Sequence, residues 1–119
     1  MAWDVEYTDE FGAWWETLTE QEQADIDGCV QVLMEQGPNL GRPYVDTLKG
    51  SRHAHMKELR TQSHGSPLRT LFAFDPRRSA ILLIGGDKTG DKRFYDRMIP
   101  LADDLYDEHL EELNREGDT

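Results

Sequence analysis

The sequence predicts a small α+β domain in which helices cover an antiparallel sheet. Three stretches carry that expectation. Ala80–Ile84 is an unbroken apolar run between the turn Asp75-Pro76-Arg77-Arg78 and the pair Gly85-Gly86, the pattern of a strand buried on both faces. Before it stand two helix-start signals: Thr8 ahead of Asp9-Glu10, and the capping box Thr19-Glu20-Gln21-Glu22. They mark a helical hairpin between Asp9 and Gln36. After it, Tyr95, Ile99, Ala102, Leu105, Tyr106, Leu110 and Leu113 recur at spacings of three and four, an amphipathic helix across Phe94–Glu116.

The remaining elements follow in order. Trp3–Tyr7 alternates apolar and acidic residues, the period of a half-buried strand. Phe11, Trp14, Trp15 and Leu18 form one stripe of a short helix, a spacing that reads as core packing and not as a base-stacking platform. Ile26, Val30 and Leu33 line the second helix, which Gly37-Pro38 ends; Cys29 falls inside this pattern as a packing residue. Asn39–Arg52 reads as a loop. His53–Arg60 reads as a strand with His53, His55, Lys57 and Leu59 on one face and Ala54, Met56, Glu58 and Arg60 on the other. Gln62–Pro67 is then a turn region, and Leu68–Phe74 a strand with Arg69, Leu71 and Ala73 opposite Leu68, Thr70, Phe72 and Phe74. With Ala80–Ile84 these strands make a three-stranded meander. Pro100 predicts a break or a start in the last helix, and the acidic tail, residues 114–119, is expected to fray from about Arg115.

A chain of 119 residues is expected to form a single domain over 1–119. No apolar run is long enough to span a membrane, and Met1-Ala2-Trp3-Asp4 has no secretory character. One cysteine cannot make an internal disulfide, which fits a reducing, cytoplasmic setting. The net charge of −11 hides a strong asymmetry: residues 1–41 hold ten acids and no Lys or Arg, residues 42–98 balance to +6, and residues 99–119 to −7. A polyanion would dock on the middle segment.

Within that segment Lys57, Arg60, Arg69 and Lys88 are placed to converge on one sheet surface near its rim. Arg69 sits in an otherwise apolar strand, a costly place for a cation unless it is paired or reaches solvent, so both an ion pair with Glu58 and a phosphate-binding role stand open. Gly85–Gly90 lacks the spacing of a P-loop, and His53 and His55 lack the companions of a metal cluster, so no metal and no cofactor is expected.

Gly41-Arg42-Pro43, Leu48-Lys49-Gly50, Glu58-Leu59-Arg60, Pro67–Phe74 and Ile81–Lys88, in that order and separation, resemble HigB-type toxins of the RelE/ParE superfamily, the toxic half of bacterial type II toxin–antitoxin pairs. The resemblance covers residues 3–113. It implies a RelE-like fold, a ribosome-dependent mRNA endonuclease acting without a metal, and a helix-turn-helix, HigA-like antitoxin as partner beside the ribosome and mRNA. By position it assigns catalytic roles to Arg60 and Arg69, and to Lys88 as the second member of a Lys-Lys pair whose first place Asp87 takes here. Cleavage by 2′-OH attack needs a proton acceptor, for which His55 is the nearest candidate, and stabilisation of the phosphorane charge, which Arg and Lys supply. Arg52, Lys57, Lys92, Arg93 and Tyr95 are the candidate RNA contacts. The alternative is a non-enzymatic protein of the same fold, either a poison of DNA gyrase or a degenerate toxin that keeps only antitoxin binding. The cations lie on the sheet and the helical hairpin is acidic, which favours RNA.

Overall fold

Thr8 accepts a hydrogen bond from Phe11 N at 3.0 Å, and Thr19 and Glu22 close the reciprocal capping box, so both helix starts are built by the residues that signal them. A computed structural model describes residues 2–117. The elements are β1 (Asp4–Tyr7), α1 (Asp9–Glu16), α2 (Glu20–Gln36), β2 (Val45–Thr47), β3 (Lys57–Ser63), β4 (Ser66–Phe74), β5 (Ser79–Asp87) and α3 (Phe94–Gly117). One five-stranded sheet runs in the order β1-β5-β4-β3-β2. The meander β3-β4-β5 is antiparallel as expected, whereas β1 pairs parallel with β5, so the sheet is mixed.

Helices cover both faces of the sheet. Phe11 of α1 and Leu33 of α2 pack with Leu59, Phe72, Ala80 and Leu82 on one side. On the other, Phe94, Met98, Ala102 and Leu105 of α3 pack with Leu71, Ala73, Ile81 and Leu83. Ala80–Leu83 thus serves two cores at once, which is why every residue in it is apolar. Leu71 pairs with Ile84 and Phe72 with Leu82, so Leu83 is the extra residue of a bulge. β5 then continues through Gly85 and Gly86 to Asp87, where a loop had been expected. A Cβ on Gly85 would lie 2.1 Å from the Trp14 ring, so only glycine lets α1 seat there.

The structure departs from expectation at five further places. β2 falls inside the expected loop; it is three residues long and on the sheet edge, too short to show a period. β3 starts at Lys57, not His53, because Ser51, Arg52 and His53 are tied to α3. The buried Asp103 accepts from Ser51 Oγ and from Arg52 N at 3.0 Å, and His53 Nε2 lies 2.8 Å from Asp107. The Gln62–Pro67 turn tightens to His64-Gly65, both at positive φ (49° and 83°), joining the two strands directly. Pro100 lies within an unbroken α3; it withholds one N–H from the carbonyl of Asp96, on the exposed side of the helix. The helix also continues through Arg115 to Gly117, past the start of the expected fraying, and residues 118–119 of that tail lie outside the described residues, as does Met1.

One buried carboxylate pins the β4–β5 turn. The buried Asp75 carboxylate accepts from Arg77 N (2.9 Å), Arg77 Nη2 (2.7 Å) and Ser79 N (3.2 Å) and meets His109 Nε2 at 2.9 Å. Burial opposes its ionisation, but these partners outweigh burial and hold the carboxyl below its usual range. A depressed carboxyl stabilises the fold above its unfolded pKa of about 3.9, and that contribution is lost as pH falls through the folded value. Asp75→Asn therefore lowers stability by about 1–3 kcal/mol at pH 7, and the gap narrows towards pH 3. Equal urea midpoints at pH 7 would contradict this.

Candidate functional site

The register of the meander sets Arg60 on β3 directly opposite Arg69 on β4. Like charges in that relation repel, and Glu58, two residues before Arg60 on the same face, supplies the counter-charge. Its carboxylate is buried; it accepts from Arg60 Nη1 at 3.1 Å and from the Tyr95 hydroxyl at 2.6 Å, and lies 3.6 Å from Arg69 Nε. Arg69 donates from Nη1 to the Leu68 carbonyl at 3.0 Å. Its Nε is a buried donor without a hydrogen-bond partner among the described residues. Both readings left open for Arg69 therefore meet in one place: it faces Glu58, and it also lines an open cavity with Arg60, Arg42 and Tyr44.

Lys88 closes the other side. Its ammonium lies 5.3 Å from the centre of the Tyr95 ring and donates to the Tyr95 hydroxyl at 3.4 Å. Burial and then the charge of Arg69 push this lysine below its usual range, with Glu58 acting in the opposite sense. Burial and the bond to Glu58 push the Tyr95 phenol up. Asp87 does not pair with Lys88; it turns away and accepts from Thr89 N (2.9 Å) and Thr89 Oγ1 (2.6 Å), shaping the turn.

A second open cavity, about 480 Å³, runs along Arg42, Lys49, Glu58, Arg60, Lys88 and Tyr95. Arg42 and Arg60 border both cavities. The site therefore presents Arg42, Arg60, Arg69 and Lys88 around a single buried carboxylate, an excess of positive charge at an open surface. Arg42 is itself paired with Asp46 at 2.7 Å.

The structure brings together Arg60, Arg69, Lys88 and Tyr95. It does not bring His55 there: this residue is exposed in the turn before β3 and lines neither cavity. Arg52 is committed to α3, paired with Asp107 and, at 3.1 Å, with Asp104. Lys57 belongs to the opposite face of β3 and reaches Thr47 Oγ1 at 3.3 Å. Lys92 and Arg93 are exposed in the loop before α3. Sequence reasoning missed Glu58 as the hub and Arg42 as a member. The Arg69–Glu58 ion pair was one of the two readings open in the sequence, whereas the bonds from Arg60 and Tyr95 to the same carboxylate were not.

Residues 13–107 match the family described as phage-derived protein Gp49-like. Two candidate toxins of Mycobacterium tuberculosis are similar in sequence. HigB2 is 44% identical over 112 residues, covering 92% of this chain, and HigB3 is 50% identical over 91 residues, covering 76%. This chain spans 55% of the length of HigB2 and 78% of that of HigB3. Among solved structures, a doubly substituted Escherichia coli toxin RelE in the free state superposes with a TM-score of 0.57 at 12% identity, over 79% of this chain and 92% of that one. The archaeal RelE of a RelE–RelB complex from Pyrococcus horikoshii does so with 0.54 at 13% identity, over 74% and 97%. Family match and sequence agree: the chain belongs to the Gp49-like family as a HigB-type member, and its fold is that of RelE.

Proposed function

We propose that this protein is the toxin of a toxin–antitoxin pair and an mRNA endonuclease that works on the ribosome. The observation that carries the reading is the Arg42–Arg60–Arg69–Lys88 cluster around Glu58, because a scissile phosphate gains charge on the way to its phosphorane and fixed cations stabilise that charge. Arg60, whose side chain is 24% exposed, meets the phosphate oxygens from the cavity wall, and Arg69 supports it from below. Lys88, with its lowered pKa, is the proton donor to the departing 5′-oxygen, since an acid works best when its pKa approaches the operating pH. Tyr95 links Lys88 to Glu58 and holds both in place. Placing the 2′-OH in line with the phosphate falls to the ribosome, which supplies orientation that so few side chains cannot, and the 2′-OH proton leaves to water at the open surface as the O–P bond forms. The chemistry needs no metal.

The HigB names of the relatives and the RelE–RelB complex support an antitoxin partner, and the resemblance gives it a helix-turn-helix form. Among the described residues no helix is long and apolar enough to cross a membrane.

The test is expression of the chain with mapping of mRNA 5′ ends beside measurement of DNA supercoiling. New 5′ ends inside translated messages, with supercoiling unchanged, are expected. Altered supercoiling without new ends would replace this reading with the gyrase poison. His55 gives a second check: His55→Ala changes the cleavage rate by no more than about threefold, as for an exposed residue away from the reacting atoms. A loss on the order of a hundredfold would restore it as the base.

A further inference from the structure

Tyr95, Ile99, Asp103 and Asp107 stand four residues apart on α3 and so lie along one face of the helix. Tyr95 belongs to the proposed cleavage site, bonded to Glu58 and to Lys88. Ile99 borders the same cavity. One turn further, Asp103 is 2% exposed, and a carboxylate so deep is costly unless donors meet it. Those donors come from the segment between β2 and β3. Ser51 Oγ donates to Asp103 Oδ1, Arg52 N donates to Oδ2 at 3.0 Å, and Ser51 Oγ accepts from His53 N at 2.9 Å. Arg52 Nη1 lies 4.0 Å away, so bonds to the strap, more than an ion pair, hold the buried charge. Asp107 adds a second tie, meeting His53 Nε2 at 2.8 Å.

We propose that Asp103 is a positioning residue for cleavage, acting through this strap on Lys49, a role that rests on the endonuclease reading of the site. Lys49 stands between two anchors. Before it, Leu48 packs against the core under α3, and its N–H donates to the Met56 carbonyl at 2.9 Å. After it, Gly50 turns the chain at a φ of 92°, a value that favours glycine, and delivers Ser51 to Asp103. The Lys49 side chain is exposed, borders the cavity of Lys88 and Tyr95, and makes no ion pair among the described residues. Its ammonium is free to grip the RNA backbone beside the scissile phosphate. A flexible stem holds a phosphate well only when its main chain is fixed. Asp103 supplies that fixation and touches no RNA itself, being buried and of the wrong sign. Because α3 is one unbroken helix from Tyr95 to Asp107, it sets the strap in register with the Glu58 cluster.

The test is steady-state cleavage of mRNA on programmed ribosomes by the full chain and its variants. Lys49→Ala raises KM about tenfold and leaves kcat within about twofold, the mark of a contact made equally in ground and transition states. Asp103→Asn keeps the shape but sets an amide N–H₂ against Arg52 N, and it raises KM by about three- to tenfold with kcat kept. Ser51→Ala, a milder change, removes one donor to Asp103 and moves KM the same way, so the question stays measurable if Asp103→Asn folds poorly. Combining Lys49→Ala with Asp103→Asn, or with Ser51→Ala, leaves KM within about twofold of Lys49→Ala alone, because the strap acts through that lysine. A strap that only stabilised the fold would instead lower the melting temperature and kcat, leave KM unmoved and add independently to Lys49→Ala. That pattern, or an unchanged KM in Lys49→Ala or Ser51→Ala, overturns the inference while cleavage by the wild type stands. A wild-type protein that leaves the message uncut overturns the endonuclease reading and the inference with it.

Discussion

Lys88→Ala lowers cleavage of mRNA on programmed ribosomes by about a hundred- to a thousandfold, the usual cost of removing one donor to a charge that develops in the transition state. Two observations support so large an effect. Lys88 is half-buried and held against Tyr95, so its ammonium is already in place when the phosphate arrives. Its lowered pKa also brings it nearer to neutrality, in the direction a proton donor needs. The same substitution leaves the melting temperature unchanged or slightly raised, because it relieves the repulsion from Arg69 and Arg60. A local Asp87–Lys88 pair would predict the reverse, lost stability and full cleavage, but Asp87 bonds to Thr89 instead. Asp87→Lys therefore adds a cation to the rim and preserves or raises the rate. A full-rate Lys88→Ala protein would remove Lys88 from the site.

Glu58→Ala destabilises the protein by about 3–5 kcal/mol, because it strands the buried Arg69 guanidinium without its counter-charge. For a chain of this size that is a fall in melting temperature on the order of 10–20 °C. Cleavage falls with it, since Arg60 and Tyr95 lose their common anchor. The double variant Glu58→Leu with Arg69→Leu separates stability from chemistry. Replacing both members of a buried pair by apolar residues is close to neutral for stability. A stable double variant that no longer cleaves places the Glu58–Arg69 pair in the cleavage machinery; a stable double variant at full rate makes Arg69 a purely structural ion.

Most of the fold was legible because its signals are local. Thr19 and Glu22 find each other within one turn, and Ala80–Leu83 is apolar because both cores need it. What stayed hidden was set by partners distant in sequence. His53–Met56 alternates like a strand, yet Asp103 and Asp107 of α3 hold Ser51–His53 as a strap. Gly85 and Gly86 read as loop residues until Trp14 and Phe94 are seen pressed against them. Pro100 breaks no helix because it costs a single bond on an exposed flank.

The site divides in the same way. Arg60, Arg69, Lys88 and Tyr95 were named from charge and resemblance; the register of β3 with β4 brings the two arginines together, and Tyr95 of α3 joins Lys88 to Glu58. Glu58 as their hub depends on contacts from β4 and α3 that no short window contains. His55 was named because histidine suits proton transfer near neutral pH, which says nothing of where the turn before β3 would leave it.

The central claim, that the cations around Glu58 cleave RNA through its own 2′-OH, is tested most directly by single-turnover cleavage on ribosomes programmed with two messages. One is all-ribose, and the other carries a single 2′-deoxy nucleotide at the scissile position. The account predicts that the first is cut to leave a 5′-hydroxyl end and that the second stays intact. Equal cleavage of both messages, or a 5′-phosphate on the product, would contradict it.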